Sequence, residues 1–170
     1  HWKKIYKMDR LWSPWRMEYI KNKEDKNKSC IFCLESEQKD DKDNLVLFRG
    51  SSSFVIMNLY PYNNGHIMVC PYDHINTTKS LSNESMTEIM ILADKSMDIF
   101  RNSMNAQGFN FGANIGISGG AGIADHIHFH VVPRWLGDTN FMPVLGHTKV
   151  MVDELINTYD KLKIEFDKIK

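Results

Sequence analysis

The sequence predicts an α+β fold: a mostly antiparallel five-stranded sheet with one long central helix and a C-terminal helix. Short apolar runs bounded by Gly, Pro, Asn and Ser recur at hairpin spacing. One long stretch repeats its apolar residues every three or four positions, the period of a helix face. His126-Ile127-His128-Phe129-His130 alternates strictly, the period of a strand.

Taken in order, residues 1–10 read as an N-terminal extension and residues 11–170 as a single domain. Leu11-Trp12-Ser13-Pro14-Trp15-Arg16-Met17-Glu18-Tyr19-Ile20 is densely aromatic and requires a surface to pack on. Lys21 to Lys28 and Glu35 to Asn44 mix charges of both signs with few apolar residues, the pattern of solvated loop. Leu45 to Phe48 and Phe54 to Leu59 form a predicted hairpin around Gly50-Ser51-Ser52. His66 to Cys70 follows the turn Pro61-Tyr62-Asn63-Asn64-Gly65 as a third strand. Ser82 is the predicted cap of a helix that buries Met86, Ile89, Met90, Ala93, Met97, Phe100 and Met104 and stops near Gly108. Phe109 to Gly116 and His126 to Pro133 are the last two strands, joined by Ile117-Ser118-Gly119-Gly120-Ala121-Gly122. Leu155, Tyr159, Leu162, Phe166 and Ile169 mark the apolar face of the C-terminal helix.

A chain of 170 residues with 42% apolar and 25% charged side chains can bury the core of one domain. Its formal net charge of zero lacks the basic footprint of a dedicated nucleic-acid binder. No apolar run approaches the roughly 18 residues of a membrane span, and no charged n-region precedes an apolar h-region. The expectation is a cytoplasmic protein with neither nucleic acid nor membrane among its partners. Three cysteines do not make a secreted disulfide framework; in a reducing compartment they read as metal ligands or buried thiols.

Two constellations carry chemistry. Cys30-Ile31-Phe32-Cys33 has the spacer that lets two thiolates reach one tetrahedral ion, and His74 with His126 can complete a closed structural zinc site. A redox pair and two inert thiols are the rival readings, and solvated loop after Cys33 disfavours the first. The second constellation is the triad. On an extended strand its three imidazoles share one face while Ile127, Phe129 and Val131 share the other. Imidazole can serve as nucleophile, acid, base or metal ligand near neutral pH. A metallohydrolase holding a catalytic zinc on the triad, and a nucleotide-binding protein without catalysis, are readings from other classes.

His-x-His-x-His followed by two apolar residues resembles the signature of the histidine triad superfamily. Cys30-x-x-Cys33, Gly65-His66-Ile67-Met68-Val69-Cys70-Pro71 and Asn58 eight residues ahead of His66 extend the resemblance over nearly the whole chain. Trp12 to Ile20, Pro133-Arg134-Trp135 and Asp138 to Val144 are similar to the bacterial branch that includes diadenosine tetraphosphate phosphorylases, also called ATP adenylyltransferases. The resemblance implies a homodimer whose sheets join, and a nucleotide substrate attacked by His128 to give a nucleotidyl-histidine. Inorganic phosphate or water then resolves that intermediate. It further implies that His66 orients the His128 ring, that His130 manages phosphate and protons, that His126 turns from phosphate to zinc, and that Asn58 touches ribose. The chain departs from many relatives at Gly122-Ile123-Ala124-Asp125, where a Gly-Gln-Ser or Gly-Gln-Thr segment is usual. Backbone amides of Gly119, Gly120 and Gly122, with Ser118 and Asn114, are the expected substitutes at phosphate. Trp135 is a further candidate for contact with a second phosphate or base. His147 carries no motif.

Overall fold

The computed structural model describes residues 30–33, 40–140, 145 and 151–169. The 1–10 extension, the Trp12 to Ile20 segment and His147 lie outside the described residues.

The chain builds one antiparallel sheet of five strands in the order β1-β2-β3-β5-β4. β1 (Val46–Arg49) and β2 (Ser53–Met57) form the expected hairpin. Its turn is tied to the long helix by Glu88, whose carboxylate accepts the Ser51 and Ser52 amides and the Ser52 hydroxyl at 2.7 Å each. β3 (Ile67–Pro71) is buried along its whole length. It is entered through Gly65, at φ 74°, where a Cβ would meet the Met104 sulfur at 3.2 Å; only glycine suits both the backbone and the space.

Helix α1 (Asn83–Met104) starts where predicted, with the Ser82 hydroxyl accepting the Ser85 amide at 3.0 Å. Its end is set by Asn105, in the left-handed region at φ 51°, rather than by Gly108, which opens β4. The buried stripe is Ser85, Ile89, Leu92, Ala93, Ser96 and Phe100. Met90, expected on that stripe, is 49% exposed, and Leu92 takes the inward position. Ser96 is tolerated there because its hydroxyl donates to the Leu92 carbonyl at 2.6 Å.

β4 (Gly108–Ala113) is the sheet edge and ends before the predicted Gly116, where φ 72° turns the chain. β5 (Phe129–Arg134) lies between β3 and β4 and begins at Phe129 rather than His126. The reason is a competing partner: the Ile127 amide donates to the Ile75 carbonyl at 2.6 Å, so residues 126–128 are bound to the loop after β3 instead of the ladder. Helix α2 (Leu155–Phe166) packs on α1 and β1 through buried Tyr159, Leu162 and Phe166, with the Tyr159 hydroxyl donating to the Val46 carbonyl at 3.0 Å. Each such side chain, fully buried, contributes about 2 to 3 kcal/mol from apolar area alone. Among the described residues no helix is long and apolar enough to cross a membrane.

Candidate active site and metal centre

The loop that diverts residues 126–128 from the ladder also brings four predicted ligands together. Cys30 and Cys33 sit on a single helical turn, His74 follows β3, and His126 precedes β5. Their ligand atoms all lie within 4.8 Å of one another. The His126 Nδ1 is 3.4 Å from the Cys30 sulfur and 3.6 Å from the Cys33 sulfur, and the His74 Nδ1 is 3.3 Å from the Cys33 sulfur. A tetrahedron with ordinary zinc–sulfur and zinc–nitrogen bonds has a sulfur–nitrogen edge of roughly 3.5 Å, so the spacing already suits an ion. His126 Nε2–H donates to the Pro71 carbonyl at 2.9 Å, which leaves Nδ1 as the lone-pair nitrogen facing the thiols. Burial pushes the His126 imidazolium down, against the opposing pull of that carbonyl, and a neutral ring is the form a metal needs. These four side chains could hold a metal ion.

The other histidines form a directed chain. The Tyr62 amide donates to His66 Nδ1 at 3.0 Å, so the His66 proton sits on Nε2. His66 Nε2–H then donates to His130 Nδ1 at 2.9 Å, which places the His130 proton on its own Nε2. That nitrogen is buried and has no hydrogen-bond partner among the described residues. Burial, followed by the charge of His128, lowers His130 to about 4, so it works as a neutral N–H donor. His128 is set differently. Its Nδ1–H donates to the main-chain carbonyl of His126 at 2.9 Å, leaving Nε2 with the lone pair, and its ring lies 4.9 Å from that of His130 at 77°.

The structure thus differs from the expectation that His66 orients His128. His66 lies two residues before Met68, which pairs with His130 across β3 and β5, so the diagonal neighbour on the same face is His130. The His126 carbonyl orients His128 instead. Both ring nitrogens of His126 are engaged, so its expected direct part in catalysis reduces to the metal cluster and that carbonyl.

Asn58 reaches the site, with Nδ2 3.3 Å from His66 Nδ1 and Oδ1 accepting the Tyr60 amide at 2.9 Å. Asn114 follows Ala113, the last residue of β4, which pairs with Phe129 at the start of β5. Ser118, Gly119, Gly120 and Gly122 belong to the connection between β4 and the triad, the first three of them exposed. Trp135 is not brought to the histidines. It follows the far end of β5, its indole N–H donates to the Met104 carbonyl at 3.0 Å, and it lines a recess of ≈ 700 Å³ with Asn64 and Lys161. That bond satisfies the carbonyl of the last residue of α1 and gives the indole a structural partner.

Two contributors escaped the sequence reading. Phe32, 2% exposed, lies 5.3 Å from the His126 ring and 4.9 Å from the His128 ring, wedging the cysteine turn against the triad. Its signal was an aromatic residue inside Cys-x-x-Cys. The Tyr62 ring lies tilted 4.5 Å from that of His66 and 5.5 Å from that of His130; nothing in the turn sequence around it marked that role.

Comparison with known proteins bears on this arrangement. The model of the HIT domain family matches residues 39–135. Over 165 residues the chain is 38% identical to AP-4-A phosphorylase of Mycobacterium tuberculosis, covering 94% of this chain and 85% of that one. It is 29% identical over 89 residues to a bis(5'-adenosyl)-triphosphatase of Dictyostelium discoideum, covering 52% of this chain and 59% of the relative. A solved structure of a zinc-bound histidine triad family protein from Mycobacterium smegmatis superposes with a TM-score of 0.67 at 22% identity, over 82% of this chain and 94% of that one.

Proposed function

Because the chain belongs to the HIT domain, or histidine triad, family, we propose that it opens dinucleoside polyphosphates such as diadenosine tetraphosphate through a nucleotidyl-histidine on His128, with inorganic phosphate as acceptor. The observation that carries this reading is the directed hydrogen-bond chain. His128 donates from Nδ1 to a fixed carbonyl and keeps its lone pair on Nε2, while His130 presents Nε2–H beside it. A neutral imidazole needs no separate base to attack.

His128 Nε2 bonds to the α-phosphorus, the bond from that phosphorus to its bridging oxygen breaks, and ATP departs with the electron pair. His130 Nε2–H meets the phosphoryl oxygens as charge gathers on them, and Asn58, Asn114, Ser118 and the amides of Gly119, Gly120 and Gly122 complete the nucleotide cradle. A phosphate oxygen then attacks the same phosphorus, the P–N bond returns its pair to His128, and ADP leaves. The 38% identity to a phosphorylase supports phosphate over water. Resolution by water is the second reading, favoured by a third histidine at His130 and by the likeness to a triphosphatase. Product analysis separates them: ATP plus ADP only when phosphate is present marks the phosphorylase, whereas AMP plus ATP without phosphate marks the hydrolase. A catalytic metal on the triad gains no support, since among the described residues the group that could hold a metal includes neither His128 nor His130. Measured turnover of diadenosine tetraphosphate by the wild-type protein would set aside a purely nucleotide-binding role, and its absence would favour one.

Cys30, Cys33, His74 and His126 would hold zinc, which suits mixed sulfur and nitrogen donors, and its contribution would be structural, pinning the cysteine turn to the entrance of β5. A cytoplasmic setting belongs to the same reading, because cysteines that serve as metal ligands suit a reducing compartment. The edge of β4, where Asn110, Phe111 and Gly112 are exposed, supports a homodimer joined through the sheet, and light scattering tests it.

A further inference from the structure

Asn63 and Asp138 belong to neither constellation, yet both are built into the delivery of His66. Asn63 is 8% exposed, and its Nδ2 donates twice, to the Pro133 carbonyl at 3.1 Å and to Asp138 Oδ2 at 2.8 Å. Its main-chain carbonyl accepts the His66 amide at 3.1 Å, closing the turn over Gly65. One residue therefore ties the far end of β5 to the residue that opens β3. Asp138 is itself held on both carboxylate oxygens: Arg134 donates from Nε at 2.6 Å and Nη2 at 2.8 Å, and the Trp135 amide donates at 3.1 Å. Arg134 Nη1 also donates to Asn110 Oδ1 on β4 at 2.6 Å. The Arg134 guanidinium holds the Asp138 carboxyl well below the usual carboxylate range, so the acceptor for Asn63 stays ionised.

The clamped segment carries Tyr62, whose amide bond to His66 Nδ1 decides which nitrogen of His66 bears the proton. The His66 proton in turn decides the tautomer of His130. Shift the turn by a fraction of an ångström and both rings can hold the proton on either nitrogen.

We infer that Asn63 and Asp138 are positioning residues that clamp the 61–65 turn onto the end of β5 and, through the Tyr62 amide, fix the tautomers of His66 and His130. The effect on rate rests on the proposed role of His130 at phosphate; the effect on the rings does not. The test is long-range ¹⁵N–¹H spectroscopy of the imidazoles in the metal-loaded wild-type protein and in Asn63→Ala, Asp138→Ala and Asp138→Asn. In the wild type, His66 and His130 show an unprotonated, hydrogen-bonded Nδ1 and a protonated Nε2. In both alanine variants these signals average towards a tautomer mixture while bound metal is unchanged. With diadenosine tetraphosphate, kcat in those variants falls about 10- to 100-fold, with a much smaller change in KM. Asp138→Asn keeps an oxygen that can accept from Asn63, and it restores the wild-type ring signals and most of kcat. Should Asn63→Ala not fold, Asn63→Ser, which keeps the main-chain bond to His66 and loses the double donor, reads the same signals. Unaveraged wild-type signals in the folded alanine variants overturn the inference even if kcat falls. Absence of turnover in the wild type overturns the proposed function instead and leaves the ring measurement standing.

Discussion

His126 and His130 stand at the two ends of one five-residue motif, both buried, and the fold gives them opposite tasks. At His126, Nε2–H is spent on the Pro71 carbonyl, so the lone pair on Nδ1 faces two sulfurs. At His130, Nδ1 accepts from His66, so a proton on Nε2 faces the site. Residue type and strand register leave the two interchangeable; the partner of the second ring nitrogen separates them. A main-chain carbonyl from the loop after β3 makes one a ligand, and a histidine at the start of β3 makes the other a donor. His128 between them borrows from the metal end, because the carbonyl it leans on belongs to His126.

The sharpest break in this comparison is His128→Ala. It removes the proposed nucleophile and touches neither end, so turnover should drop on the order of 10⁶-fold, the scale of losing a covalent catalyst. Bound metal stays stoichiometric, and mass mapping after incubation with labelled substrate shows no acid-labile label. Label found on His130, or metal lost along with activity, refutes the division of roles.

Next in size is His130→Gln, which keeps a side-chain amide donor near the same place and loses the His66 relay. A loss of about 10² to 10⁴ in kcat is expected, again without loss of metal. The same variant has a stability signature. Burial, and then the charge of His128, pushes His130 from the ordinary 6.5 down to about 4. As pH drops below 6.5 the unfolded chain takes up this proton before the folded one does, so the contribution of His130 is present above pH 6.5 and lost towards pH 4. Denaturant titrations across that window should slope in the wild type and less steeply in His130→Gln, where His126 alone of the two lowered rings remains; equal slopes would show that the His130 ring is solvated.

The cluster of Cys30, Cys33, His74 and His126, which could hold a metal, was legible from the two-residue spacer between the cysteines and from the histidines left over for them. The strand of β5 was legible from the period-two pattern, yet its first three residues were not, since Ile127 pairs with the Ile75 carbonyl only after distant loops meet. The partner of His66 required the β3–β5 register, which no local pattern encodes. Asn63 reads in sequence as an ordinary turn residue, and its double donation appears only when the end of β5 arrives beside it. Met90 and Leu92 exchanged places because two apolar stripes on α1 are nearly equivalent by period, and the sheet chose between them.

At the metal end, Cys30→Ser with Cys33→Ser should abolish bound zinc and lower stability by several kcal/mol, since metal affinity and folding are linked. Activity should fall less than in His130→Gln, because the His126 carbonyl is main chain and survives the loss of the ion. Unchanged metal content after this double substitution would remove the cluster from the argument, and an activity loss as deep as that of His128→Ala would mean that the ion itself takes part in turnover.

The smallest effect belongs to His74→Ala. His74 is exposed and meets the Cys33 sulfur at 3.3 Å, whereas His126 is buried and faces both thiols. Removing His74 leaves three ligands and a position that water can take, the coordination of an open zinc site. Zinc should remain bound but dissociate to a competing chelator about 10- to 100-fold more readily, the range for a weakened ligand set. Melting temperature should fall by less than in the double cysteine variant, and kcat should stay near the wild-type value, because the His126–Pro71 and His128–His126 bonds need nothing from His74. A kcat loss comparable to that of His130→Gln would show that the metal end sets the nucleophile directly and that the two ends of the motif are one device.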